Sequence, residues 1–369
     1  MLWIRLCRSL CIENPGGSAC RAGSTLQPVN STATAIWAHS ETALIGAGPA
    51  LRVDPGTGPG RYRRALQALR DSGKDLAFAS FTFDSGEPGS VVEIPESVEI
   101  SGADQAAFER TWSARVVSDG EAIWRRGMSR ALEAIGSALV EKVVLSRQVE
   151  LALDSPVAMR ALVDGLRASE PGSHTFHVDG LVGASPELLV SLRRGRVKSV
   201  ALAGTAAEPD QLDTDKMVRE HGLTRVSVEE GITPHVTSLE IHERTVKRFG
   251  QIRHLATQFD GQASPGARVL DLVASLHPTA AVAGAPTDAA MKIIDAVEPK
   301  TRGRYAGPVG WFDSSGDGEF AIALRCGLLD GLRVTLYAGG GIVEGSVVDA
   351  ELGETELKLQ PMLRALGVR

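Results

Sequence analysis

Glu351, Glu354 and Lys358 stand at i, i+3 and i+7 in this 369-residue chain, a spacing that puts all three side chains on one face of a helix. They follow Gly339-Gly340-Gly341-Ile342-Val343, which reads as a glycine-dense turn where bare backbone N–H groups could approach an anion. Paired carboxylates are the hard oxygen ligands that Mg²⁺ prefers, so the stripe could hold an anion through a divalent metal. The plain alternative is a solvated helix face laced with ion pairs, which such a stripe usually is.

Five other segments set polar side chains among apolar or small ones. Lys142 opens K-V-V-L-S-R and, by strand alternation, shares a face with Val144, Ser146, Gln148 and Glu150; a solvent-facing lysine at a strand start has the same pattern. Glu187 opens an apolar strand in A-S-P-E-L-L, as either a buried acid with a raised pKa or a polar strand end. Leu202-Ala203-Gly204-Thr205 ends a strand in Gly-Thr, offering N–H and hydroxyl groups to an anion or simply turning. Glu220-His221 fall on a helix whose default is a charged outer face. Arg325 shares a strand face with Ala321 and Ala323; small neighbours leave room for a guanidinium to fork a carboxylate, or to pair with an acid of the protein.

Elements must bring these positions together. Apolar Met128, Leu132, Ile135 and Leu139 predict a helix over 127–141, followed by an alternating strand from Lys142 to Leu153. Ser155-Pro156 reads as an N-cap and first position for a helix over 156–168. Strands at 187–192 and 197–203 flank a turn at 193–196, and strands at 320–329 and 332–337 flank Asp330-Gly331. Further helices are expected near 213–229, 265–276, 287–297 and 351–366. Residues 31–100 carry short apolar runs between Gly/Pro clusters, read as strands with long loops. Strand pairs mixed with helices, without regular βαβ alternation, indicate an α+β fold with antiparallel or mixed sheets. No repeat, P-loop or G-x-G-x-x-G spacing is present.

Composition narrows the class. The length suffices for a large core, and 43% hydrophobic with 23% charged residues is ordinary for a soluble globular protein. A net charge of −6 argues against broad binding to nucleic acid or acidic membranes. Cys7, Cys11, Cys20 and Cys326 form no C-x-x-C pair, so neither a disulfide framework nor a zinc site follows. No apolar run is long enough to span a membrane, and the opening residues are too Arg-interrupted for a signal peptide. A cytoplasmic protein is expected.

The motifs K-V-V-L-S-R, G-A-S-P-E-L-L, L-A-G-T, K-x-x-x-E-H, H-L-A-T, L-H-P-T, G-P-V-G-W, A-L-R-C, G-G-G-I-V and G-E-T-x-x-K-L occur here in the order seen in chorismate-utilising enzymes. That family includes isochorismate, salicylate, anthranilate and aminodeoxychorismate synthases. The resemblance covers roughly 125–369. It implies an anthranilate synthase component I-like fold, with large antiparallel or mixed sheets packed with helices in a single large domain. The expected layout is a disordered extension over 1–30 and a chorismate-binding domain over 31–369, its variable N-terminal part at 31–125 and its catalytic core at 126–369. Within the family the chain resembles isochorismate synthases of the siderophore or menaquinone type. Lys142 stands where the water-using members carry a lysine and anthranilate synthases typically carry glutamine. Ala203 stands where aminodeoxychorismate synthases carry a nucleophilic lysine. His277-Pro278-Thr279 is closer to isochorismate than to salicylate synthases.

Carried over by position, the resemblance makes Lys142 the general base and Glu187 the general acid. Glu220 and Glu354 become ligands of Mg²⁺, with Glu351 reaching the metal through water. Gly204, Thr205 and Gly341 surround a ring carboxylate; Tyr305, Arg325 and Gly339 clamp an enolpyruvyl carboxylate; Lys358 is a further cation near the anion. The implied substrate is chorismate, handled by a monomer with no glutaminase subunit, and the implied product is isochorismate, with salicylate synthase as the runner-up. The chemistry asks for a raised pKa on the acid and a lowered one on the base. Three departures stand out: a short segment between L-A-G-T and Glu220, Met217 where an acidic residue is common, and Ser346-Val347 where Ser-Pro is usual.

Overall fold

The strand Lys142–Leu153 is rich in β-branched and leucine residues, side chains that suit a pleated, buried surface. It pairs along nearly its whole length with Arg333–Val343, which sets Val343 opposite Lys142, Gly341 opposite Val144 and Gly339 opposite Ser146. This ladder is the spine of the site. The structure, a computed structural model, describes residues 35–102, 110–206, 212, 214–250 and 252–368. The expectation of a disordered 1–30 lies outside the described residues.

From the spine the sheet runs through Cys326–Asp330, Leu181–Ser185, His174–Val178, Ala35–His39, Thr42–Val53 and Val91–Ser101. It continues through Leu76–Ser80, Pro308–Asp313, Gly318–Ile322, Leu188–Arg193, Arg196–Ala206 and Ile252–Ala263. All these pairings are antiparallel, as the mixed strand and helix order implied. The ribbon folds over one core, because Phe176, Leu181 and Tyr337 from its first half share a cluster with Phe312, Phe320 and Val190 from its second. The outer face of the first half buries Val149, Leu151 and Leu336 against helices Met159–Ser169 and Val348–Leu366. Ala33–Arg369 forms one compact unit.

Several local expectations shift. The first helix of the core is Glu121–Gly136, started by Gly120 at φ 67, and Leu139 beyond it is 64% exposed rather than on the apolar face. The next helix begins at Met159, because the Ser155 hydroxyl donates to Asp154 Oδ1 and the Thr111 carbonyl instead of capping. Helix Arg61–Asp71 was not expected, although buried Tyr62, Ala65, Leu66 and Leu69 have helical spacing; the Gly/Pro-rich run before it hid the period. The supposed strand 320–329 breaks between Ile322 and Cys326, and Arg325 turns there at φ 46. The glycine run lies within a strand, and the turn comes later, at Glu344-Gly345.

One gap in the sheet is closed by side chains. Between its pairings with Gly284–Ala285 and Ala114–Ser118, the Lys142–Leu153 strand has a bare edge. Glu298 accepts from the Ser146 N–H and hydroxyl there, each at 2.8 Å. Arg302 binds Glu298 at 2.6 Å and donates to the carbonyls of Val144 and Val282. Removing one member of such a buried pair strands the other charge. Glu298→Ala should therefore cost about 3–5 kcal/mol, seen as a lower urea midpoint with an unchanged denaturant slope.

Candidate active site

A cleft opens between the spine and the second half of the ribbon, with charged and polar side chains converging on it from several elements. Glu187, Gly204, Thr205, Glu220, Tyr305, Arg325, Gly339, Gly341 and Lys358 all line it. Lys142 lies at the edge of this wall, wholly buried, 3.1 Å from Glu220 Oε1 and 3.4 Å from Thr224 Oγ1. The solvent-facing reading of Lys142 and the polar-end reading of Glu187 are both excluded, since the two side chains are buried.

The glycines of the spine act through what they lack. A Cβ on Gly341 would collide with Glu220 Oε1 and the Lys142 side chain, and one on Gly339 would sit 2.8 Å from Tyr305 Oη. These glycines lie in a strand and not in the expected turn, and strand backbone without side chains leaves room for charged groups arriving from elsewhere.

The acids divide by partner. Burial alone would raise the Glu220 carboxyl, but Lys142, Lys358 and Lys216 together hold it below its ordinary value. Glu187 is pinned at a strand entrance, its N–H donating to Ser185 Oγ and its carbonyl accepting from the Ile322 N–H. Burial pushes its carboxyl up to about 8 against the pull of Lys142 and Lys358, so it carries a proton at neutral pH, as expected of an acid.

At the far side Arg325 pairs with an acid of the protein, its Nη1 lying 3.6 Å from Glu170 Oε2. Arg325 is held in the left-handed region and buried, and burial lowers its guanidinium to about 10 despite the nearby Glu170. Its Nη2 lies 2.9 Å from His254 Nε2. An arginine only donates, so Nε2 must accept, and the imidazole proton sits on Nδ1, facing Thr205 Oγ1 at 3.3 Å. Burial first, and Arg325 with it, keeps His254 well below its ordinary pKa and neutral. The backbone of Gly204 also hydrogen-bonds this imidazole, so the L-A-G-T strand end and His254 are tied together. Tyr305 stacks on Tyr337 at 4.9 Å, and burial pushes its phenol up. His254 opens H-L-A-T, and its position opposite Thr205 in the strand ladder follows only from the pairing.

Glu351 and Glu354, on helix Val348–Leu366, stand close to Glu220, all three acting on Lys216. Lys358 bridges Glu354 Oε1 at 2.6 Å and the Gly339 carbonyl at 2.8 Å. Glu351 is buried and bonded to Lys216, and burial together with Glu354 raises its carboxyl. Among the described residues no three acids or histidines enclose a metal-sized point as they stand; each of these carboxylates is turned onto a lysine. The donor set nevertheless suits a hard divalent cation, and Lys216 feels all three acids at once. Met217 packs on Gly204 and against Leu212 and Leu255, so it fills space there.

Residues 93–367 match the family model of chorismate binding enzymes, and the chain belongs to that family. It is 33% identical over 342 residues to the isochorismate synthase DhbC of Bacillus subtilis, covering 84% of this chain and 85% of that protein. Among solved structures, DhbC from Bacillus anthracis superposes with a TM-score of 0.82 at 27% identity, covering 91% of this chain and 97% of that one. Anthranilate synthase component I from Streptococcus pneumoniae shares the fold, with a TM-score of 0.73 at 19% identity over 93% of this chain and 96% of its own. No helix among the described residues is long and apolar enough to cross a membrane.

Because the folded carboxyl of Glu187 titrates near 8 instead of 4.5, the folded state binds more protons than the unfolded one between those values. Stability should fall as pH rises through that window and level off above it. Urea midpoints measured across it should drop for the native sequence and drop less for Glu187→Gln.

Proposed function

We propose that this enzyme, of the isochorismate synthase type, converts chorismate to isochorismate with Lys142 as general base and Glu187 as general acid. The observation that carries the reading is one cleft with the buried acid Glu187 in its wall, together with Arg325 and Tyr305, and the buried Lys142 at its edge beside Glu220. Chorismate is a dianion on a small ring. The Arg325 fork with Tyr305 suits its enolpyruvyl carboxylate, and Gly204, Thr205 and Gly341 suit its ring carboxylate.

Water adds at ring C2, the C4 hydroxyl leaves, and the ring double bonds shift, so substrate and product are isomers. Lys142 takes the proton from the attacking water as the neutral amine, so it must first leave Glu220 and release its own ammonium proton to solvent. Glu187 hands its proton to the departing hydroxyl, converting hydroxide into water as a leaving group. The proton now on Lys142 must return to Glu187 through solvent or product release before the next turnover. A Mg²⁺ ion held by Glu220 and Glu354, with Glu351 through water, would supply neutralisation of the ring carboxylate and draw electron density from the ring. Ala203 in the cleft wall leaves no amine there for a covalent route.

Incubation with chorismate and Mg²⁺ should give a mixture of chorismate and isochorismate on chromatography, formed without ammonia. Salicylate with equimolar pyruvate as the main product would overturn the assignment of the reaction. Lys142→Ala should lower kcat by about 10²- to 10⁴-fold, and near-normal turnover would remove it as the base. The native kcat should fall as pH rises through about 8, where Glu187 loses its proton; the remaining activity of Glu187→Gln should lack that limb.

A further inference from the structure

The lysine of K-x-x-x-E-H takes no part in the chemistry above, yet it points into the acid cluster. Lys216 lies one turn before Glu220 on helix Asp215–Ile232, a spacing that puts both on one face. Its ammonium bonds Glu351 Oε1 on the opposing helix, and that carboxylate side chain is only 2% exposed. Glu220 and Glu354 have lysines of their own, so the three acids meet three ammonium groups.

The three lysines are not equally free to leave. Lys142 is completely enclosed and has a second anchor in Thr224. Lys358 has a second anchor in the Gly339 carbonyl. Lys216 shows only Glu351 as a side-chain partner among the described residues, and its side chain is 26% exposed. A buried carboxylate cannot stay without a counter-charge, but this one is held by a lysine that can swing into solvent without stranding any other group.

We infer that Lys216 is the resident counter-cation of the acid cluster, and that a divalent cation enters by displacing it from Glu351. The inference rests on the proposal that Glu220, Glu354 and Glu351 hold a metal. Lys216 keeps the two helices joined across the cluster while no metal is bound. It also lowers metal affinity, because its ion pair with Glu351 must break and its charge repels the newcomer. Both effects act in the same direction, so the sign of the test is fixed.

The test is calorimetric titration of MgCl₂ into the substrate-free protein and into Lys216→Gln, with thermal melts of each in chelator and in saturating Mg²⁺. The variant should bind Mg²⁺ about tenfold more tightly, the size of one displaced partly buried charge interaction. It should melt roughly 2–4 °C lower than the native protein in chelator and recover most of that loss in Mg²⁺. Lys216→Arg, which keeps the charge, should bind Mg²⁺ close to the native affinity; it also decides the matter if the glutamine variant does not fold, since a tenfold gain with arginine would contradict displacement of the charge. Equal or weaker binding by Lys216→Gln, beside a native protein that does bind Mg²⁺, overturns the displacement alone. Failure of every form to bind Mg²⁺ overturns the metal proposal and this inference with it.

Discussion

Burial of charge without isolation of charge is the constraint on which this molecule turns. Lys142, Arg325 and Glu351 are all nearly inaccessible to water, and none would be tolerated there alone as a charge. Their partners come from segments far apart in the chain: Glu220 and Lys216 from one helix, Glu170 from the end of another. The fold is therefore a device for delivering opposite charges to one cleft, and the eleven-pair ladder between Lys142–Leu153 and Arg333–Val343 is the frame they are delivered against.

That frame explains why side-chain-free positions matter as much as charged ones. Glu220 and Lys142 meet across Gly341, and Tyr305 approaches across Gly339. A sheet face studded with ordinary side chains would keep those groups several ångströms apart and leave each desolvated without compensation. On this view the glycines stabilise the ion pair by permitting it, and the ion pair in turn fills the space they leave.

Much of this was legible from residue order. The alternation of Lys142–Leu153, the hairpin turning at Asp330-Gly331, and helix Thr287–Val297 follow from period and turn chemistry. Most of the named site residues line one cleft, with Lys142, Glu351 and Glu354 beside it, because the ordered motifs carry a shared fold. Two kinds of information were out of reach. Arg325 was read as part of a continuous strand, but its left-handed backbone comes from the break after Ile322, which nothing local signals. The roles of His254 and Lys216 depend on who stands opposite, Thr205 across a ladder and Glu351 across two helices, and register between distant segments is a property of the folded whole. Likewise the helix boundaries near Gly120 and Met159 were settled by left-handed backbone and by a hydroxyl bound elsewhere, both decided by tertiary surroundings.

The sharpest division of labour concerns two acids under the same influences. Glu187 and Glu220 are both buried, and both feel Lys142 and Lys358, yet one is raised to about 8 and the other lies below its ordinary value. Distance decides between them. Glu220 touches Lys142 at 3.1 Å, close enough for Coulomb attraction and a hydrogen bond to outweigh desolvation. Glu187 receives the same fields from farther away, and because attraction falls with separation while the cost of burial does not, desolvation wins. Lys142, with Lys358 and Lys216 behind it, thus keeps one carboxylate charged while the other stays protonated, so the cleft contains an anion that can bind a cation and an acid that can give up a proton. Moving Lys142 toward Glu187 would abolish the difference, which is why its complete enclosure beside Gly341 is a requirement of the chemistry as well as of packing.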